Sequence, residues 1–369
     1  MSRLLAAVAV VLLAASGAAA QSTIRVAIVD SARAAELRGT DIEVVELGGE
    51  RVGWRTNLVR AAAAGAVVDV DGRRAAAFRL RSERPIRVNG RDYSSPLDIV
   101  RSGDGLAVVN EVALEEYVVG VVRAEASEKW PLEMLRAQAT VARTYAAHHR
   151  VLAAAKPFHI LASTAHQQYA GRVPPASPIW AAVRDTAGHV LLWEGEVFPA
   201  FYHTESGGYT EDPRSVFAAR NLPGLKPVRC DFSAGSPHFY WSLDVRLTDL
   251  AEALRRGGVQ IGAISAIDVT ERTPSLRASM VTVRGDRDVM LRGNDFRRMI
   301  GYDTFKSTLF AVVLDGELAR FSGRGYGHGV GMCQWGAKGM AEQGYSARQI
   351  LEYFYPGTVL GSLGERPAP

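Results

Sequence analysis

Apolar and polar positions follow two different periods along this chain of 369 residues. From residue 22 to about 110 they alternate in short runs, the period-two pattern of half-buried strands. Ile24–Val29, Ile42–Val45 and Ala66–Val70 read in this way. Asp71-Gly72 then favours a tight hairpin with a return strand near Ala75–Leu80. A strand near Ile86–Val88, a turn at Asn89-Gly90 and a strand at Gly105–Asn110 continue the series. No catalytic grouping stands out here, so the stretch is expected to be a β-rich scaffold.

The period changes at Glu111. Leu114, Tyr117, Val118, Val121 and Val122 fall at i, i+3, i+4, i+7 and i+8, one face of a helix. Glu125 lies about 20° around the helix from Leu114, so the apolar stripe ends in a carboxyl group. A second helix is expected from Pro131 through Leu135, Ala139, Ala142 and Ala146 towards Ala155. Residues 156–330 alternate strands and loops with modest helices, one of them near Leu247–Arg256. A last helix is expected over Ser346–Phe354, before Pro356-Gly357. The pattern predicts an α+β fold. A β-rich region, 21–100, precedes a mixed α/β domain, 101–362, with a helical pair around Glu125. Residues 363–369 read as a frayed tail.

The first twenty residues obey neither period. Arg3 precedes an apolar run from Leu4 to Leu13, and Ala18-Ala19-Ala20 follow, the layout of a cleavable signal peptide. The run is too short to span a bilayer comfortably, so the mature chain is expected outside the cytoplasm, in periplasm or cell wall, without a transmembrane span, with an uncleaved anchor as the alternative. Losing this segment removes one of 43 basic residues and none of 39 acidic ones, taking the formal charge from +4 to +3. That balance, without Lys/Arg clusters interleaved with aromatics, argues against a nucleic-acid binder and is compatible with an anionic polymer. Export also bears on Cys230 and Cys333, the only two cysteines. They can form one disulfide there, or remain two buried thiols.

Three segments could carry chemistry. A carboxyl at the core-facing end of a helix is partly desolvated and near the negative pole of the helix dipole, and both effects raise its pKa. Glu125 is therefore a candidate general acid, unless Arg123 or Arg143 neutralises it. In Phe201–Glu211, His203 and Glu205 alternate along an extended segment and share a face, lining a pocket or satisfied within a loop. No Gly-x-Ser-x-Gly surrounds Ser206, so a serine-hydrolase elbow is unsupported. The third segment, Gly323–Ala337, has glycine at 323, 325, 327, 329 and 331. Strict alternation excludes a dinucleotide fingerprint. It suggests an extended strand with bare backbone on one face and Tyr326 and His328 on the other. A glycine-rich turn packed under a helix is the alternative.

Taken together, these blocks resemble the stage II sporulation protein D and amidase-enhancer family. The similarity lies in Leu114–Glu125 with Gln138–Tyr145, in Tyr202-His-Thr-Glu-Ser-Gly-Gly-Tyr-Thr210, and in Gly325–Ala337, with Leu291–Arg297 and Lys306–Phe310 as linking segments. It extends over roughly residues 86–360 in the same order. The resemblance implies a peptidoglycan-active protein. Characterised members are lytic transglycosylases acting on glycan strands that lack stem peptides, and others are described as enhancers of a cell-wall amidase. It places the catalytic glutamate at Glu125, where the helical stripe ends. Arg143, Tyr145, His203, Glu205, Tyr326, His328 and Trp335 are then expected to hold sugar or to orient Glu125. A non-catalytic wall-binding module that stimulates an amidase is the alternative. Some relatives carry cysteines near the histidine matching His203, and zinc is assigned in the family. Ser206 and Tyr209 stand there in this chain, so of those ligands only His203 is matched.

Overall fold

The structure, a computed structural model, describes residues 22–48, 53–217, 222 and 224–363. The expected signal peptide at 1–20 and residues 364–369 of the expected tail lie outside them. The α+β expectation holds. Strands Ile160–Leu161, Thr23–Ala32, Gly105–Ala113, Leu97–Ser102, Ala77–Arg81, Ala34–Leu47, Gly53–Ala64, Val67–Val70 and Arg73–Ala75 follow one another across a large sheet. Asp71 and Gly72 have φ of 51° and 85°, and Asn89 and Gly90 of 48° and 79°. Positive φ at both central residues is what a tight hairpin matching strand twist requires. The expected return strand is two pieces. Arg73–Ala75 closes the hairpin, whereas Ala77–Arg81 crosses to pair with Ala34–Leu47 and Leu97–Ser102.

Helix α1 (Leu114–Glu125) continues directly from strand Gly105–Ala113, and α2 (Leu132–Leu152) packs beside it. Every residue of the predicted stripe on α1 is buried, which stabilises the helix by roughly 1.5–3 kcal/mol per large apolar side chain. Gly120 brings α1 close to its neighbours: a Cβ there would stand 2.3 Å from the Tyr169 ring. Pro131 is the N-cap of α2 rather than its first residue, and the helix stops at Leu152. One apolar core runs from Ile24 and Val26 of the sheet through both helices to Phe354 and Tyr355. The expected division at residue 100 falls inside strand Leu97–Ser102.

A second core, built around Phe296, Phe305, Phe310 and Phe321, belongs to a lobe inserted between two strands that pair with each other. The lobe holds three-stranded sheets Tyr240–Arg246/Leu318–Arg324/Phe310–Asp315 and Ala266–Arg272/Ala278–Arg284/Val289–Arg292. Helices Leu247–Arg256 and Gly293–Ile300 accompany them, and only the first was legible in the sequence. Before the lobe the chain forms Tyr202–His203, and after it Met332–Cys333, which pair in parallel. Helix α3 (Gln334–Glu342) follows at once. No helix among the described residues is long and apolar enough to cross a membrane.

Candidate active site

Glu125 is the last residue of α1, and the chain leaves it as extended backbone at Ala126. Its Oε1 accepts the backbone N–H of Gln168 at 2.7 Å. The side chain of Gln334, first residue of α3, donates to the backbone carbonyl of Glu125 at 3.2 Å and to Oε1 of Gln138 at 3.3 Å. The Tyr202 phenol completes the enclosure. It stabilises the charged carboxyl only from the edge of hydrogen-bonding range, since its buried oxygen has no partner in good geometry. Burial raises the Glu125 carboxyl above its ordinary value, and the bonds from Gln168, Tyr202 and Gln334 pull it back part of the way. The residue as a whole is only half-buried. The acid is thus largely stripped of water yet reachable from outside.

No cation among the described residues pairs with it. Arg123 faces Glu128 at 3.9 Å. Arg143, fully buried, grips both oxygens of Glu115 at 2.8 and 2.6 Å and spends another donor on the His189 carbonyl. The expected sugar contact at Arg143 is therefore corrected: its guanidinium ties α2 to α1. Tyr145 is buried against Phe201 and His149 rather than in the open.

His203 and Glu205 share a face as expected, but that face is interior. Nδ1 of His203 bonds the Val330 carbonyl at 3.1 Å, its Nε2 has no partner, and burial followed by His328 lowers its pKa well below the usual range. Glu205 Oε1 accepts from Gly207 N–H at 3.0 Å and Ser233 Oγ at 2.7 Å, fixing a turn. His328 packs against Phe201, Phe217 and His203, and burial takes its pKa down to about 3. Both histidines are neutral at physiological pH. The alternation also means that Tyr202, between Phe201 and His203, points the other way, towards Glu125.

The glycine segment is not an extended strand with a bare face. The regular strand ends at Arg324, and Gly325, Gly327, Gly329 and Gly331 have φ of 82°, 118°, 85° and 72°. A Cβ on Gly327 would meet Cβ of His203 at 2.8 Å, and one on Gly331 the Phe201 carbonyl oxygen at 1.9 Å. Gly325, Gly327 and Gly331 let this chain turn closely against the extended segment Phe201–Gly207, rather than under a helix. Tyr326 and Trp335 stay half-buried, and Trp335 meets Trp130 at a ring distance of 5.2 Å.

Zinc finds no donor set. Among the described residues no three His, Cys, Asp or Glu side chains converge, and a protein zinc site needs at least three. Cys230 and Cys333 are free, buried neighbours that flank Gly336. The neighbouring Cys333 lowers the Cys230 thiol, while burial pushes Cys333 up. Cys333 also accepts the Gly336 N–H at 3.3 Å and so caps α3. Under oxidising conditions this pair is expected to close into a disulfide, worth at most about 4–5 kcal/mol for so long a loop. Thiol titration of denatured, unreduced protein made in an oxidising compartment should then find none; two reactive thiols would exclude the bridge.

Sequence reasoning missed Gln168, Tyr202, Gln334 and Trp130 around Glu125. Tyr202 and Gln334 stand within the blocks that carry the family resemblance, and strand alternation was the available signal for Tyr202. Gln168 acts through its backbone, which side-chain patterns do not reveal.

Comparison with known proteins bears on this site directly. Residues 102–193 match the family described as Stage II sporulation protein, and residues 228–331 match a domain of unknown function. The chain is 31% identical over 268 residues to the Stage II sporulation protein D of Bacillus amyloliquefaciens, covering 68% of this chain and 74% of the relative. It belongs to the stage II sporulation protein D and amidase-enhancer family. The corresponding Bacillus subtilis protein is 29% identical over 283 residues, 72% of this chain and 80% of the relative. The amidase enhancer of Bacillus subtilis is 30% identical over 292 residues, 66% of this chain but 40% of that longer protein. The first family match contains Glu125, Arg143, Tyr145 and Gln168. The unknown domain spans the inserted lobe and ends at Gly331, before Gln334 returns to Glu125.

Proposed function

We propose that this chain is a peptidoglycan lytic transglycosylase that cleaves the bond between N-acetylmuramic acid and N-acetylglucosamine, favouring strands without stem peptides. The observation that carries the reading is the Glu125 carboxyl, desolvated, half-buried and unpaired by any cation among the described residues. Such a carboxyl keeps its proton to higher pH, and a glycosidic oxygen needs that proton in order to leave. Glu125 gives its proton to the bridging oxygen, which departs with the bonding electrons as C1 of the muramyl ring takes oxocarbenium character. The 6-hydroxyl oxygen of that ring then closes on C1, and its proton passes to the Glu125 carboxylate. One carboxyl serves as acid and then as base. Hydrolysis with retention or inversion calls for two. The leader at 1–20 would carry the chain to where the polymer lies.

Mass spectrometry of denuded glycan digested with the purified mature chain tests this. Products with 1,6-anhydro ends, one water lighter than hydrolysis products, support it. The likeness to an amidase enhancer favours a second reading, a non-catalytic glycan binder that stimulates a cell-wall amidase. Strands bound but left intact would support that one and overturn the first.

The pH profile offers a further check. Tyr202 favours the charged form of Glu125, so Tyr202→Phe should raise the carboxyl's pKa. The acid must be protonated to act, so activity is lost as pH rises through that pKa. The alkaline limb of kcat/KM is therefore expected to move to higher pH in Tyr202→Phe. A limb that stays in place or moves down would remove Tyr202 from the site.

A further inference from the structure

From Glu125 outwards, half-buried rings form a row that joins the main body to the inserted lobe. Trp130 meets Trp335 at 5.2 Å, Trp335 meets His238 at 6.1 Å, and His238 meets Tyr326 at 5.6 Å. Trp130 follows α1 by a short loop and Trp335 adjoins Gln334, so this end of the row lies at the candidate acid. Two ammonium groups sit over rings of the row. Nζ of Lys338 is 5.1 Å from the Trp335 ring and is paired with Glu342 at 2.6 Å. Nζ of Lys306 is 4.4 Å from the Tyr326 ring, whose hydroxyl is held by Asp303 at 3.0 Å. No carboxylate among the described residues comes within ion-pair distance of Lys306. Its charge also depresses the pKa of His238, after burial.

We infer that this row is an extended glycan path and that Lys306 reads the free lactyl carboxylate of a muramyl sugar, so selecting strands from which the peptide has been removed. The inference rests on the glycan reading of the Glu125 site. Sugar rings present apolar C–H faces that lie on aromatic rings, which suits Trp335 and Tyr326. In the polymer a lactyl group recurs on every second sugar, and in the protein a lysine stands over every second ring from Trp335 to Tyr326. While a stem peptide is attached, the lactyl carboxyl is an amide without charge. After its removal the carboxylate can pair with an ammonium that has no carboxylate partner among the described residues. Lys306 is that ammonium; Lys338, already engaged by Glu342, contributes less. A lysine held by a ring face rather than a carboxylate is only weakly fixed, and it can turn to an arriving anion without breaking an ion pair.

The test is calorimetric binding with the full mature chain carrying Glu125→Gln, so that no ligand is consumed. The probes are muramyl glycan oligomers with free lactyl carboxylates, the same oligomers with those groups methylamidated, and chitin oligomers of equal length. The acidic oligomer should bind roughly five- to tenfold more tightly than the amidated one, a difference eroded by salt. Lys306→Met should bring the acidic oligomer down to the level of the amidated one and leave the amidated and chitin affinities unchanged. Lys306→Arg should restore most of the preference. Equal affinity for acidic and amidated oligomers, or a preference that survives Lys306→Met, would overturn the carboxylate reading alone. Failure of all three oligomers to bind would overturn the glycan path as well, whatever the fate of Glu125 as an acid.

Discussion

Glu125→Gln is expected to lower glycan cleavage by roughly 10²–10⁴-fold, the share that a positioned general acid supplies. The amide is nearly isosteric and can still accept the Gln168 N–H through its carbonyl oxygen, so the local fold should persist. It cannot deliver a proton. Stability should not fall and should rise at neutral pH. The carboxyl's pKa is raised in the folded chain, so its ionisation opposes folding once pH exceeds the unfolded value, fully so above the folded one. Glutamine removes that cost. Rates on denuded glycan and melting temperatures of the same preparations decide the matter together. Cleavage within tenfold of the parent by a well-folded variant would move the acid elsewhere, with Glu128 and Glu205 the next carboxyls to try. Glu205 is the weaker of the two because it is fully buried beneath its own turn.

Gly331→Ala is expected to destabilise the chain by roughly 3–5 kcal/mol, combining left-handed strain with overpacking. At φ of 72° the new methyl would stand 1.9 Å from the Phe201 carbonyl oxygen. That oxygen accepts from the Met332 N–H at 3.1 Å and the Tyr355 hydroxyl at 2.7 Å. Relieving the clash therefore pulls apart the junction at which Tyr202–His203 and Met332–Cys333 pair. Gly208→Ala is the control, because φ there is 105° but nothing lies within 4 Å of the added carbon. It should cost no more than about 1–3 kcal/mol, from backbone strain alone. Melting temperatures separate the two terms: the difference between the variants reports packing. Equal losses would mean that the contact with Phe201 relaxes without cost, and the glycine segment would then owe its composition to backbone conformation only.

Several of these features could be read from the chain before its fold was known, and they share one property: each depends on residues close together in sequence. The stripe Leu114–Val122 fixes which face of α1 is buried, and helical geometry carries that face on to Glu125. Asp71-Gly72 and Asn89-Gly90 fix their turns because few residue pairs tolerate positive φ twice in succession. Helix Leu247–Arg256 is amphipathic over its whole length and was visible for the same reason.

What the sequence left open depended on segments far apart in the chain. Alternation put His203 and Glu205 on one face but could not say whether it looked into a groove or into the core. The parallel pairing of Tyr202–His203 with Met332–Cys333, across the whole inserted lobe, turned that face inward and left Tyr202 facing the acid. Arg143 was equally ambiguous, since a charged residue on a buried helix face can serve a ligand or a neighbouring carboxylate. Glu115, one helix away, decided it. The alternating glycines fitted a strand or a tight turn, and only the close approach of Phe201–Gly207 and of Arg277 selected the turn, because a Cβ on Gly325, Gly327, Gly329 or Gly331 would have no room. The surroundings of Glu125 were the least legible of all. A backbone N–H from Gln168, a phenol from Tyr202 and an amide from Gln334 converge on it from three separate segments. Helical periodicity determined where the carboxyl stands, and long-range packing decided which groups meet it there.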